Sequence, residues 1–266
     1  MNGEPLVSVI IPTYNSERFF GRCLKSIKEQ SYPNIEVIVV DNYSMDRTRE
    51  IAESCGVGDR VVLCKAGRSR ARNVGASLAK GEFIFSVDSD MELTPNVVSE
   101  CVAKVEENDF DAVVIPEFSV GDGFWAKCKA LEKQCYVGDD LMEAARFFER
   151  SVFEAVGGYD LGLEFGEDWD INQRIGKREF RIGRIGAFIK HNEGKLRLRE
   201  TIIKKCYYGK TLDRYRLKHP EEAKKQLTLI RLAFVRSWRK LLKDPIHALG
   251  MFLMKICEFV VVGLGK

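Results

Sequence analysis

The sequence predicts an α/β protein whose central sheet is largely parallel. Short apolar runs alternate with amphipathic segments through the first half of the 266-residue chain, and this alternation is typical of a parallel sheet covered by helices. Polar clusters follow directly after three of the apolar runs. The composition, with 45% hydrophobic and 30% charged residues, is that of a globular protein long enough to form a substantial core.

The elements follow from the hydrophobic pattern. Five apolar runs are predicted to be strands, namely Val7–Ile11, Ile35–Val40, Arg60–Leu63, Phe83–Val87 and Ala112–Ile115. The amphipathic segments between them are predicted to be helices, namely Glu17–Gln30, Asp46–Cys55, Ser69–Ala79 and Thr94–Glu107. Ligands of parallel sheets bind beyond the carboxyl ends of the strands. Because the polar clusters lie at those ends, we expect a nucleotide-type ligand there.

The clusters differ in the chemistry they offer. Pro12-Thr13-Tyr14-Asn15 follows the first predicted strand, and Asp41, after the second, can accept hydrogen bonds from a nucleobase edge. Asp88 and Asp90 follow the fourth strand, and a spacing of two puts their side chains on the same side. Two hard oxygen ligands suit a divalent cation and a phosphate-bearing substrate. A solvated acidic turn is the other interpretation of this pair when it is taken alone.

An arginine-rich segment opens the third predicted helix. Arg68, Arg70 and Arg72 alternate with small residues directly after Gly67, and a helix N-terminus with guanidinium groups favours phosphate. The segment has no G-x-G-x-x-G pattern, and the chain contains no G-x-x-x-x-G-K-[ST] pattern. The fingerprints of dinucleotide-binding and P-loop proteins are therefore absent.

Four ordered motifs resemble those of family 2 glycosyltransferases, which have the GT-A fold, a Rossmann-like arrangement. The motifs are Val9–Asn15, Val39–Thr48, Ala71–Gly75 and Asp88-Ser89-Asp90, and the resemblance covers about residues 6–195. It implies a nucleotide-diphospho-sugar donor and a divalent metal, Mg²⁺ or Mn²⁺. Carried over by position, the resemblance places Pro12, Tyr14, Asn15 and Asp41 around the base and ribose, Arg72 near the nucleotide, Asp88 near the ribose and Asp90 on the metal.

The segments 157–160 and 166–171 resemble the acceptor side of the same family. Glu167 and Asp168 are predicted to begin a helix with Ile171 and Ile175 on its buried face. Acidic residues in a first helical turn can also be mere partners of the helix dipole. The resemblance implies that Asp168 is the general base in a single displacement that inverts the anomeric configuration. It implies that Glu167 helps to orient the acceptor.

Two further features refine this hypothesis. His191 follows the apolar run Ile185–Ile189, and a lone histidine there is commonly structural. In this family a histidine at that position approaches the metal or diphosphate, so His191 is a candidate metal ligand beside Asp90. The Gln-x-x-Arg-Trp motif of polymerising relatives such as cellulose synthases is absent after Asp168, which favours addition of a single sugar.

The charge is unevenly distributed along the chain. Residues 195–244 contain 16 Lys and Arg against 5 Asp and Glu, whereas residues 1–194 contain 24 against 33. The usual partners of such a basic block are nucleic acid or an anionic membrane surface, and a solvated helical face is the other interpretation. Because the catalytic motifs already account for an anionic ligand, nucleic acid is not expected.

The last third of the chain favours a membrane surface. Leu229–Lys243 alternates apolar and basic residues at the spacing of an interfacial helix. The apolar stretch 245–265 is interrupted by His247, Lys255 and Glu258, and charges are costly in hydrocarbon. We therefore expect a helical anchor that lies on the bilayer without crossing it, with a buried packing helix or a dimer interface as the alternative.

These expectations define two domains. Residues 1–195 are predicted to be the GT-A catalytic domain and residues 196–266 a basic, amphipathic and apolar membrane-binding region. The chain starts directly with an apolar strand and shows no signal peptide. The predicted location is therefore the cytosolic face of the cell membrane. No feature of the sequence indicates an oligomeric state.

A membrane-apposed transferase implies a lipid-linked acceptor. We expect a polyprenyl (dolichyl-type) phosphate or diphosphate carrying a glycan, as in N-glycan biosynthesis, with GDP-mannose or a UDP-hexose as donor. One alternative is an enzyme that places a sugar directly on dolichyl phosphate. Another is a non-catalytic protein that binds nucleotide sugars, although such a protein has no use for the base Asp168.

Overall fold

The computed structural model describes residues 3–65, 67–107, 110–209 and 211–264. Within these ranges the strands are β1 (Val7–Thr13), β2 (Ile35–Asp41), β3 (Val61–Leu63), β4 (Phe83–Ser86), β5 (Met91–Leu93), β6 (Ala112–Val114), β7 (Glu117–Asp122), β8 (Ala145–Glu149), β9 (Ile182–Arg184) and β10 (Ile189–Lys195). The helices are α1 (Phe20–Lys28), α2 (Thr48–Ser54), α3 (Arg68–Leu78), α4 (Val97–Glu106), α5 (Phe124–Tyr136), α6 (Arg150–Ala155), α7 (Glu167–Lys177), α8 (Leu198–Gly209), α9 (Leu212–Lys218), α10 (Pro220–Gln226), α11 (Leu232–Arg236), α12 (Trp238–Lys243) and α13 (Pro245–Leu264).

The central sheet is largely parallel, as predicted. Its strand order is β3-β2-β1-β4-β8-β6-β9, and only β8, between β4 and β6, runs antiparallel to its neighbours. A second sheet has the order β5-β10-β7. All five predicted strands and all four predicted helices are present, with ends shifted by a few residues. Within the described residues, the strands β5, β7, β8, β9 and β10 were not predicted, because they are short or carry charged residues.

The two faces of the sheet carry separate apolar cores because strand side chains alternate in direction. Val9 and Phe85 pack on one face with residues of α1 and α4. Ile10 and Ile84 pack on the other face with residues of α3 and α7. Helix α3 approaches β1 closely at Gly75, where a Cβ atom would overlap the side chain of Ile10. This close approach positions the arginines of α3 beside the strand ends.

The helices after Lys195 pack against the preceding part of the chain. Met251 and Met254 of α13 are buried in a core with Cys128 and Cys135 of α5. Helices α9 and α10 lie against α7, where His219 Nε2 is 2.8 Å from Asp170 Oδ1. Among the described residues, none of the helices combines the length and the apolar character needed to cross a bilayer.

Several cations of the basic block 195–244 form ion pairs with acidic residues in the preceding part of the chain. Lys218 Nζ lies 2.7 Å from Asp160 Oδ2 and 2.6 Å from Asp170 Oδ1. Arg214 also contacts Asp160, with Nη2 at 3.5 Å from Oδ1, and Arg236 pairs with Asp139. The basic block is therefore not wholly a separate surface, and Lys218, through Asp170, helps to hold the helix that begins with Glu167 and Asp168.

Candidate active site

The loops after β1 and β2 lie side by side because Thr13 and Asp41 are register partners. Asp41 is fully buried, and its carboxylate accepts hydrogen bonds from Thr13 Oγ1 at 2.9 Å and from the backbone N–H of Ser44 at 2.9 Å. Pro12 is also buried. These two residues lie beneath the surface that a base would contact, so direct contacts from Asp41 and Pro12 to a nucleotide stay a prediction.

Tyr14 and Asn15 are the exposed members of this group. Tyr14 is 60% exposed, and its ring is free to meet a base. Asn15 has a φ of 48°, a left-handed conformation that asparagine tolerates better than most residues. Its Oδ1 accepts a hydrogen bond from the backbone N–H of Met45 at 2.9 Å. Asn15 thereby connects the loop after β1 to the loop after β2.

Asp88 and Asp90 lie just beyond the end of β4, on the wall of a cavity of about 580 Å³. Asp168, Glu167 and His191 line the same cavity. The loop after β1 adjoins it, because Ser16 Oγ is 2.8 Å from Ser89 Oγ. The candidate metal, base and acceptor-side residues are therefore brought together, and the Tyr14 loop lies next to them.

Arg72 is buried beneath the carboxylates, with 1% of its surface exposed. Its Nη2 is 2.7 Å from Asp88 Oδ1, and its Nη1 is 3.0 Å from Asp168 Oδ1 and 3.3 Å from Glu167 Oε1. Burial opposes its charge, but these carboxylates raise the pKa of Arg72 well above the ordinary value. Arg72 thus holds three site residues together from below, and its predicted contact with the nucleotide stays a prediction.

Arg146 is a site residue that the sequence analysis missed. This side chain of β8 is 6% exposed. Its Nε donates to Glu117 Oε1 at 2.5 Å, and its Nη1 is 3.4 Å from Asp88 Oδ2. Burial alone would raise the pKa of Asp88, but Arg72 and Arg146 together hold it well below its usual range. An arginine inside the apolar run 144–148 was the available signal.

Asp90 and His191 form the candidate metal pair. His191 Nε2 is 3.3 Å from Asp90 Oδ2, because β10 pairs with β5 next to Asp90. Burial opposes protonation of the imidazole, but Asp90 and Glu117 raise the pKa of His191 to about 10. Asp90 Oδ1 is buried and has no hydrogen-bond partner among the described residues, so it has capacity for a cation.

The carboxylate of Asp90 fits a hard divalent ion. His191, which its raised pKa keeps protonated at neutral pH, can add a nitrogen ligand when the ion displaces its proton. Within the described ranges, no group of three or more His, Cys, Asp or Glu side chains is arranged to hold a metal. Mg²⁺ commonly binds through one or two carboxylates together with water and substrate phosphates. Asp90, with His191 beside it, therefore fits a site that the donor diphosphate completes.

Glu167 and Asp168 begin α7, as predicted, after Gly166 in the left-handed conformation. Glu167 is 4% exposed; burial and the neighbouring charge of Asp168 raise its pKa. The side chain of Asp168 is 27% exposed; its Oδ1 is 3.0 Å from Arg72 Nη1, and its Oδ2 is 4.0 Å from Arg146 Nη2. Of the two carboxylates, Asp168 is the more exposed, whereas Glu167 is buried against Arg68 and Arg72.

The model of the family described as Glycosyl transferase family 2 matches residues 8–154, which is more than half of the chain. The chain belongs to glycosyl transferase family 2. The resemblance inferred from the motifs is thus confirmed. Asp168 and His191 lie beyond the matched residues. The family match therefore does not support these two as site residues of this family 2 glycosyltransferase, and only the geometry described above does.

Curated relatives align with between about two fifths and two thirds of this chain. Glycosyltransferase GlyG of Streptococcus pneumoniae is 38% identical over 114 residues, which cover 41% of this chain and 38% of GlyG. Poly(ribitol-phosphate) beta-N-acetylglucosaminyltransferase TarS of Staphylococcus aureus is 34% identical over 115 residues, covering 41% of this chain and 20% of TarS. The aligned segments therefore span well under half the length of either relative.

Solved structures match over almost the whole chain. Mannosyltransferase PcManGT from Pyrobaculum calidifontis, in complex with GDP-Man and Mn²⁺, superposes with a TM-score of 0.64 at 18% identity, covering 97% of this chain and 87% of PcManGT. Residues 1–349 of TarS, in complex with UDP-GlcNAc, give a TM-score of 0.60 at 19% identity, covering 94% and 81%. At these identities the likeness concerns the fold, and it agrees with the expected GT-A architecture.

Proposed function

We propose that this protein transfers one sugar from a nucleotide-diphospho-sugar, GDP-mannose or a UDP-hexose, to a lipid-linked acceptor glycan at the cytosolic face of the cell membrane. One observation carries the proposal. Asp90 and His191, suited to a cation, and Asp168, suited to proton removal, line one cavity. A cavity of about 580 Å³ is within the range of small-molecule sites and has room for a hexose and part of its acceptor.

The reaction is a single displacement. Asp168 removes the proton of an acceptor hydroxyl as that oxygen bonds to the anomeric carbon. The bond from this carbon to the diphosphate oxygen breaks, its electron pair leaves with the nucleoside diphosphate, and the configuration is inverted. Arg72 and Arg146 position Asp168 through their contacts at 3.0 and 4.0 Å. A divalent cation, Mg²⁺ or Mn²⁺, held by Asp90 and His191, supplies charge stabilisation for the diphosphate when bound.

The neighbours support a nucleotide-sugar donor without selecting one. PcManGT was solved with GDP-Man and TarS with UDP-GlcNAc, and both share the fold of this chain. Fold likeness alone does not assign a substrate. GDP-mannose is placed first only because the sequence motifs resemble those of enzymes that act on lipid-linked glycans.

The membrane part of the proposal is supported by an apolar face on α13, which consists of Ile246, Leu249, Leu253 and Ile256. Their exposed fractions are 67%, 73%, 49% and 45%, and their spacing of three to four residues puts them on one side of the helix. Helices α11 and α12 also expose large apolar residues beside basic ones. Exposed apolar surface flanked by Lys and Arg is typical of a helix that lies in the headgroup region of a bilayer.

Membrane binding is tested by charge substitution on this face. The double variant Leu249→Glu, Leu253→Glu is expected to bind vesicles of anionic phospholipid at least about tenfold more weakly than the wild type, because two leucines lose their apolar contact. Co-sedimentation measures the bound fraction. Leu217→Glu, on α9 and 85% exposed, is the matched control and should bind like the wild type. Equal binding by all three proteins contradicts the proposal. If instead the wild type forms a dimer in the absence of lipid and the double variant does not, the apolar face is a site of self-association.

Sugar transfer is tested with radiolabelled donors. GDP-mannose and UDP-hexoses are incubated with the protein, Mn²⁺ or Mg²⁺, and membranes as the acceptor source. With one of the donors, label is expected to enter the organic phase. EDTA should abolish the transfer, because it removes the cation that Asp90 and His191 hold, and the charge of the leaving diphosphate is then uncompensated. Label that appears only in water-soluble product with every donor rules out a lipid acceptor.

A further inference from the structure

The cavity that contains Asp90 and Asp168 extends to a charged cluster on α5, α8, α13 and the residue before α11. We call it the basic cluster; its cations are Lys129, Lys205, Arg231 and Lys255, and its carboxylates are Glu132 and Glu258, all on the cavity wall. Glu132, 1% exposed, is the centre of the cluster. Its Oε2 is 3.0 Å from Lys129 Nζ, and its Oε1 is 2.5 Å from Lys255 Nζ. Lys255 Nζ also lies 2.6 Å from Glu258 Oε2.

The cations of the cluster exceed its carboxylates. Arg231 Nη1 is 3.8 Å from Glu132 Oε1, which already accepts from Lys255 and Tyr136. Arg231 Nε is buried and has no hydrogen-bond partner among the described residues. The carboxylate of Glu193, which accepts from Ser119 Oγ at 2.9 Å, adds one negative charge nearby, and Lys195 and Lys204 on the same cavity wall add two positive charges. Arg231 Nη1 donates to Tyr136 Oη, which is a neutral partner. The excess of cations over carboxylates, which is costly when buried, is the charge expected of an anion site.

Lys205 is the cation with the fewest internal partners. Its Nζ lies 5.4 Å from the centre of the Phe165 ring, and within the described ranges no carboxylate pairs with it. Burial and the positive charges of Lys129 and Lys255 lower the pKa of Lys205 to about 7, although Glu258 and Glu132 act in the opposite direction. An incoming oxyanion supplies the partner that the protein does not provide.

We propose that the basic cluster binds a phosphate or diphosphate group of the acceptor, with Lys205 and Arg231 as its main contacts; this inference rests on the proposed function. Charged hydrogen bonds from Lys and Arg are the usual means of binding phosphate. Because the cluster and Asp168 share one cavity, an acceptor anchored there by its phosphate can present a hydroxyl to the base.

The position of the cluster favours the acceptor over the donor. The donor diphosphate is assigned to the cation site at Asp90 and His191, beyond the end of β4. Lys255 and Glu258 instead belong to α13, the helix whose apolar face is proposed to lie on the bilayer. One helix thus presents its apolar side outward to lipid tails and its charged side inward to the cavity. A lipid phosphate is the group that lies at the boundary between these two environments.

The first test uses inorganic pyrophosphate as the probe. Calorimetry is done in EDTA, so that metal at Asp90 does not contribute. Lys205→Gln is expected to bind pyrophosphate about tenfold more weakly than the wild type, the loss of one hydrogen bond to a charged group. Lys225→Gln, exposed and outside the cavity, is the matched control, and Lys205→Arg should restore binding. Equal affinity of the wild type and Lys205→Gln, with both proteins folded by circular dichroism, overturns the inference.

The second test separates the source of the phosphate. Lys205→Gln should raise the KM for a polyprenyl-diphosphate-linked glycan about tenfold, with kcat and donor Kd unchanged, and should not affect the same glycan on a phosphate-free alkyl chain. A weaker donor Kd with an unchanged acceptor KM assigns the cluster to the donor and overturns the inference. If Lys205→Gln raises the KM for soluble poly(ribitol phosphate) but not for the lipid-linked glycan, the cluster binds phosphate, and the inference that this phosphate belongs to a lipid is overturned.

The two proposals can fail separately. If the wild type transfers sugar to no lipid acceptor but Lys205→Gln still loses pyrophosphate binding, the proposed function fails and the phosphate site stands. If the wild type glycosylates a lipid acceptor, but the wild type and Lys205→Gln bind pyrophosphate equally, the proposed function stands and the assignment of the basic cluster fails.

Discussion

Asp168→Asn is expected to lower kcat by about 10²- to 10⁴-fold, the usual contribution of a positioned general base. Asparagine occupies the same volume and can keep a hydrogen bond from Arg72, but it cannot accept the acceptor proton. Donor binding should be little changed, because Asp90 and the loops after β1 and β2 are untouched. Initial rates at saturating donor measure kcat, and calorimetry measures the donor Kd. Asp140→Asn, whose side chain is 98% exposed, is the matched control.

The size of this effect also separates the alternatives. An enzyme that places a sugar directly on a lipid phosphate attacks with an oxygen that is already anionic, so Asp168→Asn should then retain considerable activity. A non-catalytic protein that binds nucleotide sugars should show no turnover in the wild type with any donor. A large loss of kcat with unchanged donor affinity is the result that supports transfer to a hydroxyl.

Arg72→Gln is expected to lower the free energy of unfolding by about 3–5 kcal/mol, because it leaves buried carboxylates without their cation. Asp88 and Asp168 contact Arg72 at 2.7 and 3.0 Å. For a chain of this size, the expected loss lowers Tm by roughly 6–20 °C. Thermal and urea unfolding measure the change. Arg70→Gln, an exposed arginine of the same helix, is the control and should unfold like the wild type.

The effect of Arg72→Gln depends on pH with a definite sign. Arg72 and Arg146 hold the pKa of Asp88 well below its ordinary value, against the opposing effect of burial. A depressed folded-state pKa contributes stability that is fully present above the unfolded value, about 4, and is lost as the pH falls through the folded value. The difference in stability between wild type and variant should therefore be largest near neutral pH and shrink below pH of about 4.

The opposite pattern assigns Arg72 to the donor. If Arg72→Gln unfolds at the wild-type temperature but binds the nucleotide sugar much more weakly, the guanidinium contacts the nucleotide as the family resemblance implied. Loss of stability with retained donor affinity supports a role in holding Asp88, Glu167 and Asp168 in place. The unfolding temperature and the donor affinity are measured on the same preparation, so that a loss of stability is distinguished from a loss of donor binding.

Local pattern was enough to predict the elements around the site. The apolar run ending at Val87 predicted β4, and the topology of parallel sheets put Asp88 and Asp90 at its carboxyl end. The spacing of Ile171 and Ile175 predicted the buried face of α7, and both residues are fully buried. These predictions succeed because strand alternation and helical periodicity are properties of neighbouring residues.

Long-range pairing was not predictable in the same way. Strand β8 enters the sheet antiparallel between β4 and β6, and this insertion brings Arg146 to Asp88 across 58 positions of the chain. The C-terminal segment carried an interfacial pattern, yet the inner side of α13 is buried against α5. Lys255 and Glu258 interrupt the apolar stretch in the sequence. In the structure they pair with each other, and Lys255 also pairs with Glu132 inside the protein.

The sequence by itself determined the family, the parallel sheet and the edge of that sheet where polar groups converge, because each depends on short motifs or local periodicity. Only the tertiary structure decided which charges meet. It buried Arg72 and Arg146 among the carboxylates and gathered the basic cluster from four separate segments. The physical reason is that an ion pair depends on distances of 3–4 Å between side chains, and these distances are set by the packing of elements far apart in the chain.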